Sequence, residues 1–335
     1  MKRVEDIGEF KLIERLARYL PSTPTVVEGI GDDCAVVRLF GRQLMITSDL
    51  SVENTHFQCN YANPEEIGWK VAASSLSDIA AMGGTPLFAL TSLSCPRDTS
   101  VSFLEQMYQG ISNLLSRYGV VVIGGDTTRS AELLSIDITV LGEVSGNRFL
   151  RRRGAQIGDL LTVTGMLGDS AAGLDALRHA RDAHQLKQAH LRPRPRILEG
   201  LWLSGRPQVH AMLDISDGLV QDAAHLAKPG RLGVNVDPSR LPLSDPLKEY
   251  CERWGLDPIE TALRGGEDYE LLFATDSGEC TQIMHAFRQE FRTPITVIGE
   301  FTDAWTGVRI QGEKRESGGY DHFVPPPEDR PDAEG

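Results

Sequence analysis

The sequence predicts an α/β protein built as two domains, and three features carry that expectation. Runs of apolar, β-branched residues alternate along the chain with longer stretches of helical periodicity. A length of 335 residues exceeds what one hydrophobic core usually organises. A polar, basic, Gly-rich segment, "GNRFLRRRGAQIGD", interrupts the alternation near the middle and marks the junction. The expected division is a first domain over 1–148, a second over 149–323, and a disordered Pro-rich, charged tail over 324–335.

Residues 3–20 read as a helix, with Ile7, Phe10, Ile13, Leu16 and Leu20 near helical spacing and "PSTP" ending it. "CAVVRLF" and "QLMITSD" read as strands joined at Gly41. Asn63-Pro64 opens a helix to about Met82, with Asn63 as N-cap and Gly83-Gly84 closing it. "PLFALTSLSC" is a strand, Ser100 to Tyr118 a helix stopped by Gly119, and "VVVIGGD" and "LLSIDITVLGEVS" are strands. Past the junction come the strand "LLTVTG", a helix from Asp169, the extended "LRPRPR", and the strand and turn "AMLDISDG". A helix from Leu219, the strand "LGVNVD", "YELLFATD", a helical 278–291 and "ITVIGEF" complete the alternation. Both halves hold Ser-Asp before a helix (Ser77-Asp78, Ser216-Asp217) and a Gly-Gly-acid turn (Gly124-Gly125-Asp126, Gly265-Gly266-Glu267), a hint of two related folds.

Composition narrows the function. With 41% hydrophobic and 24% charged residues the chain is that of a globular protein. Its 34 basic and 47 acidic residues, net −13, argue against nucleic acid or an anionic membrane as the main partner. Five cysteines without a CxxC pair suggest neither a zinc site nor a disulfide framework, so reduced thiols in a cytoplasmic protein are expected. "MKRVEDIGEF" lacks the apolar core of a signal peptide. No apolar run approaches the roughly 18 residues that span a bilayer.

Standard phosphate and protease motifs are missing: there is no GxxxxGK[ST], HExxH, GxSxG or HRD. "GIGDDC" starts like a dinucleotide fingerprint, but the third Gly is lacking and a strand follows it. Instead, acids sit in turns beside Gly, Ser or Thr: Asp32 and Asp33, Asp49, Asp78, Asp126, Asp214 and Asp217, Glu267 and Asp268. Each alone is explained by the liking of Asp for turns and N-caps. Asp78 fits that explanation least, because it lies inside a helical pattern, where Asp has poor propensity. Several carboxylates in one cleft would repel unless cations sat among them, and hard oxygen ligands select Mg²⁺. Gly-Gly turns add backbone N–H groups that can approach phosphate. These parts describe a nucleotide-phosphate site made from acids and metals.

The stretches "GIGDDCAVV", "TSDLSVENTHF", "SLSDIAAMGGTP", "IGGDTTR", "GDSAAGL", "DISDGL", "GGEDYEL" and "GYDHF" follow one another from about Gly8 to Phe323. In that order they resemble the thiamine-monophosphate kinase family, within the aminoimidazole ribonucleotide synthetase-like superfamily. The resemblance implies transfer of the γ-phosphoryl group of ATP to thiamine monophosphate, giving thiamine diphosphate and ADP, with several Mg²⁺ ions. It implies a two-domain α/β fold whose amino-terminal domains pair into a β-barrel across a homodimer. Position by position, it puts Mg²⁺ ligands at Asp33, Thr47, Ser48, Asp49, Asp78, Asp126, Asp214 and Asp217. ATP contacts fall on Gly125, Asp126, Arg152 and Ser216, with Arg151 and Arg153 beside Arg152 as alternatives. Contacts to thiamine phosphate fall on His56, Glu267 and Tyr320. Asp78, Asp126 and Arg152 are the expected catalytic set, while Asp32 is expected to shape its turn or bind water. The chain departs from the family at Ser75, where Asn is commoner, and at Ser48, where Thr is. Two rival functions are a sister ATP-dependent enzyme of the same superfamily and a non-catalytic nucleotide-binding regulator.

Overall fold

Asn63 shows how the sequence builds its central element. Its side chain accepts the Glu66 N–H at 3.0 Å, and Glu66 returns a bond from the Asn63 N–H, a reciprocal cap that starts α2 (Pro64–Ala81). Pro64 occupies the first turn, where its missing N–H costs nothing. All but four of the 18 residues of α2 are buried, so it is a helix enclosed on every side rather than a surface helix. Gly68 and Gly110 let it approach a neighbouring helix closely. A Cβ on Gly68 would lie 1.9 Å from the Met107 carbonyl oxygen, and one on Gly110 would lie 2.0 Å from that of Glu65.

The computed structural model describes residues 3–146, 148–315, 320 and 322–323. Two mixed sheets organise them. The first contains β1 (Val26–Glu28), β2 (Ala35–Leu39), β3 (Arg42–Val52), β4 (Gly84–Cys95), β5 (Val121–Arg129) and β6 (Ser135–Val144), in the order β1-β2-β3-β6-β4-β5. Only the β4–β5 pair in it is parallel. α2 lies on one face of this sheet, α3 (Val101–Leu115) lies on α2, and α1 (Glu9–Ala17) precedes the sheet in the chain. The helix expected over 3–20 is therefore shorter: a 3₁₀ turn at Val4–Asp6, a break at Gly8 with φ 72°, then α1.

The second sheet runs β13-β12-β9-β11-β7-β10-β8. Its strands are β7 (Leu160–Thr164), β8 (Val209–Asp214), β9 (Gly233–Val236), β10 (Leu271–Thr275), β11 (Ile295–Thr302), β12 (Gly307–Ile310) and β13 (Glu313–Arg315). Its helices are α4 (Asp169–Arg178), α5 (His184–Leu191), α6 (Ile197–Ser204), α7 (Leu219–Ala227), α8 (Asp245–Trp254), α9 (Pro258–Arg264) and α10 (Cys280–Glu290). Of these, α5, α6, α8 and α9 lie in stretches the sequence reading left without structure. α2 also touches α5, α6 and β8, so the two halves share its flank. Trp69 donates to the Pro193 carbonyl at 2.8 Å, and Arg148 donates to the carbonyls of Ser204, Arg206 and Val209. The anticipated tail at 324–335 lies outside the described residues.

Candidate active site

Where the halves meet, three carboxylates converge. Asp33 comes from the turn after β1, Asp78 from the last turn of α2, and Asp214 from the end of β8. One carboxylate oxygen of each lies within 4.8 Å of the others. Thr47 and Asp49 alternate along β3 and face α2, which adds Ser74 and Ser77. Thr47 donates its hydroxyl proton to Asp78 and Ser77 donates to Asp214 at 2.5 Å, while Ser74, whose hydroxyl donates to the Val71 carbonyl at 3.1 Å, lies beside Asp49.

This group carries more negative charge than its surroundings can solvate. Burial, then Asp33, pushes Asp214 up to about 7. Burial, then Asp49, Asp214 and Asp33, holds Asp78 well above the usual carboxylate range. Asp49 rises to about 6, chiefly through burial. Buried Asp33 leaves its Oδ2 without a hydrogen-bond partner. An orphaned buried carboxylate oxygen beside two more carboxylates, with an all-oxygen donor set, fits a hard divalent cation such as Mg²⁺.

The three consecutive arginines separate by partner. Arg151 and Arg153 both bond Glu28, and Arg151 also lies over the Phe149 ring. Only Arg152 of the three turns to the cluster, giving Nε (3.0 Å) and Nη2 to Asp33 Oδ1. Asp32 accepts the Arg152 backbone N–H at 3.1 Å and the Asp33 N–H at 3.2 Å, so it shapes the turn. Burial, then Asp33, pushes Asp32 up to about 7.

A second acid group lies beside the first. Asp217, Asp222 and His225 place ligand atoms within 4.8 Å of one another. Asp222 accepts the N–H groups of Asp217 and Gly218 and so caps α7 from within. The Ser216 carbonyl accepts the Glu267 N–H at 2.9 Å, joining the "DISDG" and "GGEDYE" turns. Tyr320 donates its N–H to the Asp217 carbonyl and accepts from Gln221 Nε2 at 3.0 Å.

The expected substrate residues lie near Lys70, two turns before Asp78 on α2. His56, His322 and Tyr320 form a chain of rings, with centroids 4.9 Å apart at each step. The Val52 N–H donates to His56 Nδ1 at 3.0 Å, which leaves the proton of the neutral ring on Nε2. Burial lowers the His56 pKa and favours that neutral form. Glu267 meets Lys70 Nζ at 2.8 Å.

Three expected residues, Ser48, Gly125 and Asp126, are not brought to the cluster within one chain. Register pairs Ser48 with Thr139 and Asp126 with Ser92, and Ser92 with Asp137, all on the sheet face away from α2. Ser48 donates there to Asp137 at 2.7 Å. Asp126 accepts its neighbour's Thr127 N–H on the exposed edge strand β5. Gly125 stands beside it at φ 154°, where a Cβ would lie 1.8 Å from the Thr91 carbonyl oxygen. Ser75, the departure noted above, spends its hydroxyl on the Ile138 carbonyl at 2.9 Å. Sequence reasoning passed over Lys70, Asp222 and His322. His322 stands inside the quoted "GYDHF" and Asp222 shortly after "DISDGL", whereas Lys70 belongs to no motif.

Residues 31–144 match the family model described as AIR synthase related protein, N-terminal domain, and residues 156–311 match that of the C-terminal domain. Fold and site together therefore define an AIR synthase related protein with two α/β domains. The thiamine-monophosphate kinase of Aquifex aeolicus is 38% identical over 326 residues, covering 96% of this chain and all of that one. The Escherichia coli K12 enzyme of the same name is 38% identical over 336 residues, with coverage of 95% and 99%. A solved structure described as AaThiL complexed with AMPPCP and TMP superposes with a TM-score of 0.85 at 38% identity, covering 96% of this chain and 99% of that one. The chain belongs to the thiamine-monophosphate kinase family.

Proposed function

We propose that this protein transfers the γ-phosphoryl group of ATP to thiamine monophosphate, forming thiamine diphosphate and ADP. The observation that carries the reading is the Asp33–Asp78–Asp214 group, a buried oxygen-ligand set, in a chain of this family. The relative solved with AMPPCP, a methylene analogue of ATP, and TMP supports the same pair of substrates here.

The acceptor is already a phosphate oxygen anion, so no side chain need remove a proton. That oxygen attacks the γ-phosphorus in line, the bond to the β-phosphate oxygen breaks, and ADP leaves with the electron pair. Bound Mg²⁺ ions supply charge neutralisation between the two polyanions. Asp33, Asp78 and Asp214 would hold them, with Thr47 and Asp49 from β3 and Asp217 from the second group. Arg152 adds a fixed positive charge for ATP phosphate and keeps Asp33 oriented. Neutral His56 offers its Nε2 proton, Tyr320 a ring face, and Glu267 a carboxylate to the thiamine moiety. For Gly125, Asp126, Ser216 and Ser48 the motif match supports the proposed ATP and metal contacts.

We place the boundary between domains at 148/149, supported by the gap between the end of β6 at Val144 and the start of β7 at Leu160. A homodimer fits the uncovered face of the first sheet, where Leu50, Phe88 and Val121 are exposed. A second copy there would extend the sheet into a shared barrel and cover β5. Five free cysteines support a reducing, cytoplasmic setting. The test is chromatography of products from ATP, Mg²⁺ and either thiamine monophosphate or free thiamine. Thiamine diphosphate from the monophosphate supports the reading; ADP release without it overturns it.

A further inference from the structure

Lys70 is an ammonium inside the protein, with 7% of its side chain exposed. Buried lysines lose their charge or find acceptors, and this one has three. Its Nζ lies 3.1 Å from the His56 carbonyl oxygen, 3.1 Å from His190 Nε2, and 2.8 Å from Glu267 Oε1. Burial, then the Lys70 charge, pushes His190 down to about 3, so its ring is neutral and accepts from the ammonium. The opposite ring nitrogen then carries the proton, 3.1 Å from Ser170 Oγ. Burial alone would raise Glu267, yet the Lys70 charge beside it holds it below the usual carboxylate range, so it is a carboxylate.

The loop carrying Glu267 needs this support. Glu267 and Tyr269 both sit in the left-handed region, at φ 62° and 51°, which side chains avoid. Asp268 between them accepts the Gly168 N–H at 2.8 Å and the Ser170 N–H at 3.3 Å, pinning the loop to the start of α4. The backbone is thus held from the second half of the chain. The Glu267 carboxylate is held from the first half, by Lys70 on α2.

We infer that Lys70 is a positioning residue for the substrate, a cation from α2 that sets the Glu267 carboxylate across the domain boundary. It takes no part in the chemistry. Two turns of α2 separate it from Asp78, about 12 Å along the axis, so its effect falls on the organic end of the acceptor and not on ATP. The inference rests on the proposed contact between Glu267 and thiamine monophosphate.

The test is steady-state kinetics of wild type, Glu267→Gln, Lys70→Met and the double variant, with both substrates varied. Each single change is expected to raise KM for thiamine monophosphate by about tenfold to a hundredfold, the range for a lost charged hydrogen bond. KM for ATP stays within about twofold, and the double variant matches Glu267→Gln, because Lys70 acts through Glu267. A normal KM in Lys70→Met beside a raised one in Glu267→Gln overturns the inference alone. A normal KM in Glu267→Gln overturns the substrate contact as well. If Lys70→Met strands a buried carboxylate and does not fold, the double variant lacks that charge and carries the comparison. Equality with Glu267→Gln supports the inference, and a further rise of about tenfold overturns it.

Discussion

Lys70 and Asp78 stand eight residues apart on α2, one bonded to Glu267 and the other beside Asp33 and Asp214. One rigid helix therefore sets the separation between the Glu267 carboxylate, the proposed contact of the acceptor, and the acid cluster, the proposed transfer centre, about 12 Å by helix geometry. Ser74 lies between them, beside Asp49. Rigidity here follows from sequence: α2 is capped at Asn63 and buried on all sides.

Stability should depend on Mg²⁺ in a pH-dependent way. Asp32 and Asp214 sit at about 7 in the folded protein, above the ordinary 3.8. The metal-free folded state therefore holds more protons than the unfolded one between these values, and its stability falls as pH rises through that window. Melting temperatures with Mg²⁺ and with EDTA should diverge from about pH 4 to about pH 7 and then run parallel. A constant gap would show that the acids are compensated without metal.

Arginine replacement should discriminate among neighbours. Arg152→Met leaves Asp33 unpaired and is expected to raise KM for ATP by about tenfold or more. Arg151→Met loses one of the two arginines on Glu28 and should leave that KM near wild type. The same KM change in both would place the ATP contact elsewhere in the segment.

Much of this site is legible in the sequence, because acids beside Gly and Ser are local patterns. Asn63 as N-cap, Asp78 inside a helix and Asp214 at a strand end all stand where the pattern put them. Which arginine faces the cluster is not legible: "RRR" gives three equal candidates, and only the distant Glu28 takes two of them away. The Lys70–Glu267 pair joins residues 197 apart, and a lone Lys in an apolar helix carries no sign of its partner. Ser48 and Asp126 depend on strand phase, since neighbouring residues on a strand point to opposite faces. Two of the unread helices do have plain signals. Ser244-Asp-Pro caps α8, which Gly255 ends at φ 68°, and Asp257-Pro caps α9. By contrast α5 has Ala183 at its N-cap, with no side-chain cap, and nothing local announces it.

Acid should loosen the surroundings of the Lys70–Glu267 pair first. His190 titrates at about 3 in the folded protein and at its ordinary 6.5 when unfolded. The unfolded state thus takes up the proton first, so this contribution is complete above pH 6.5 and is lost as pH falls toward 3. His190→Gln, which can still accept from Lys70, should lose less stability than wild type between pH 6.5 and 4.5, by about 1 kcal/mol or more in urea unfolding. Identical pH slopes would mean that His190 is protonated in place.

The exposed edge strand offers a test of assembly. Ile123→Glu puts a charge on β5 at a residue already 57% exposed, so the folded single chain should tolerate it. Sedimentation is expected to show a dimer for wild type and a monomer for the variant. A dimer in both would move the interface off β5.

The most direct test of the acid cluster as the transfer centre is thiamine diphosphate formation by Asp78→Asn at saturating Mg²⁺, ATP and thiamine monophosphate. The account predicts kcat at least about a hundredfold below wild type, in a protein whose metal-free melting temperature is unchanged or higher, since one buried repelling carboxylate is gone. Turnover near wild type in that folded variant would contradict it.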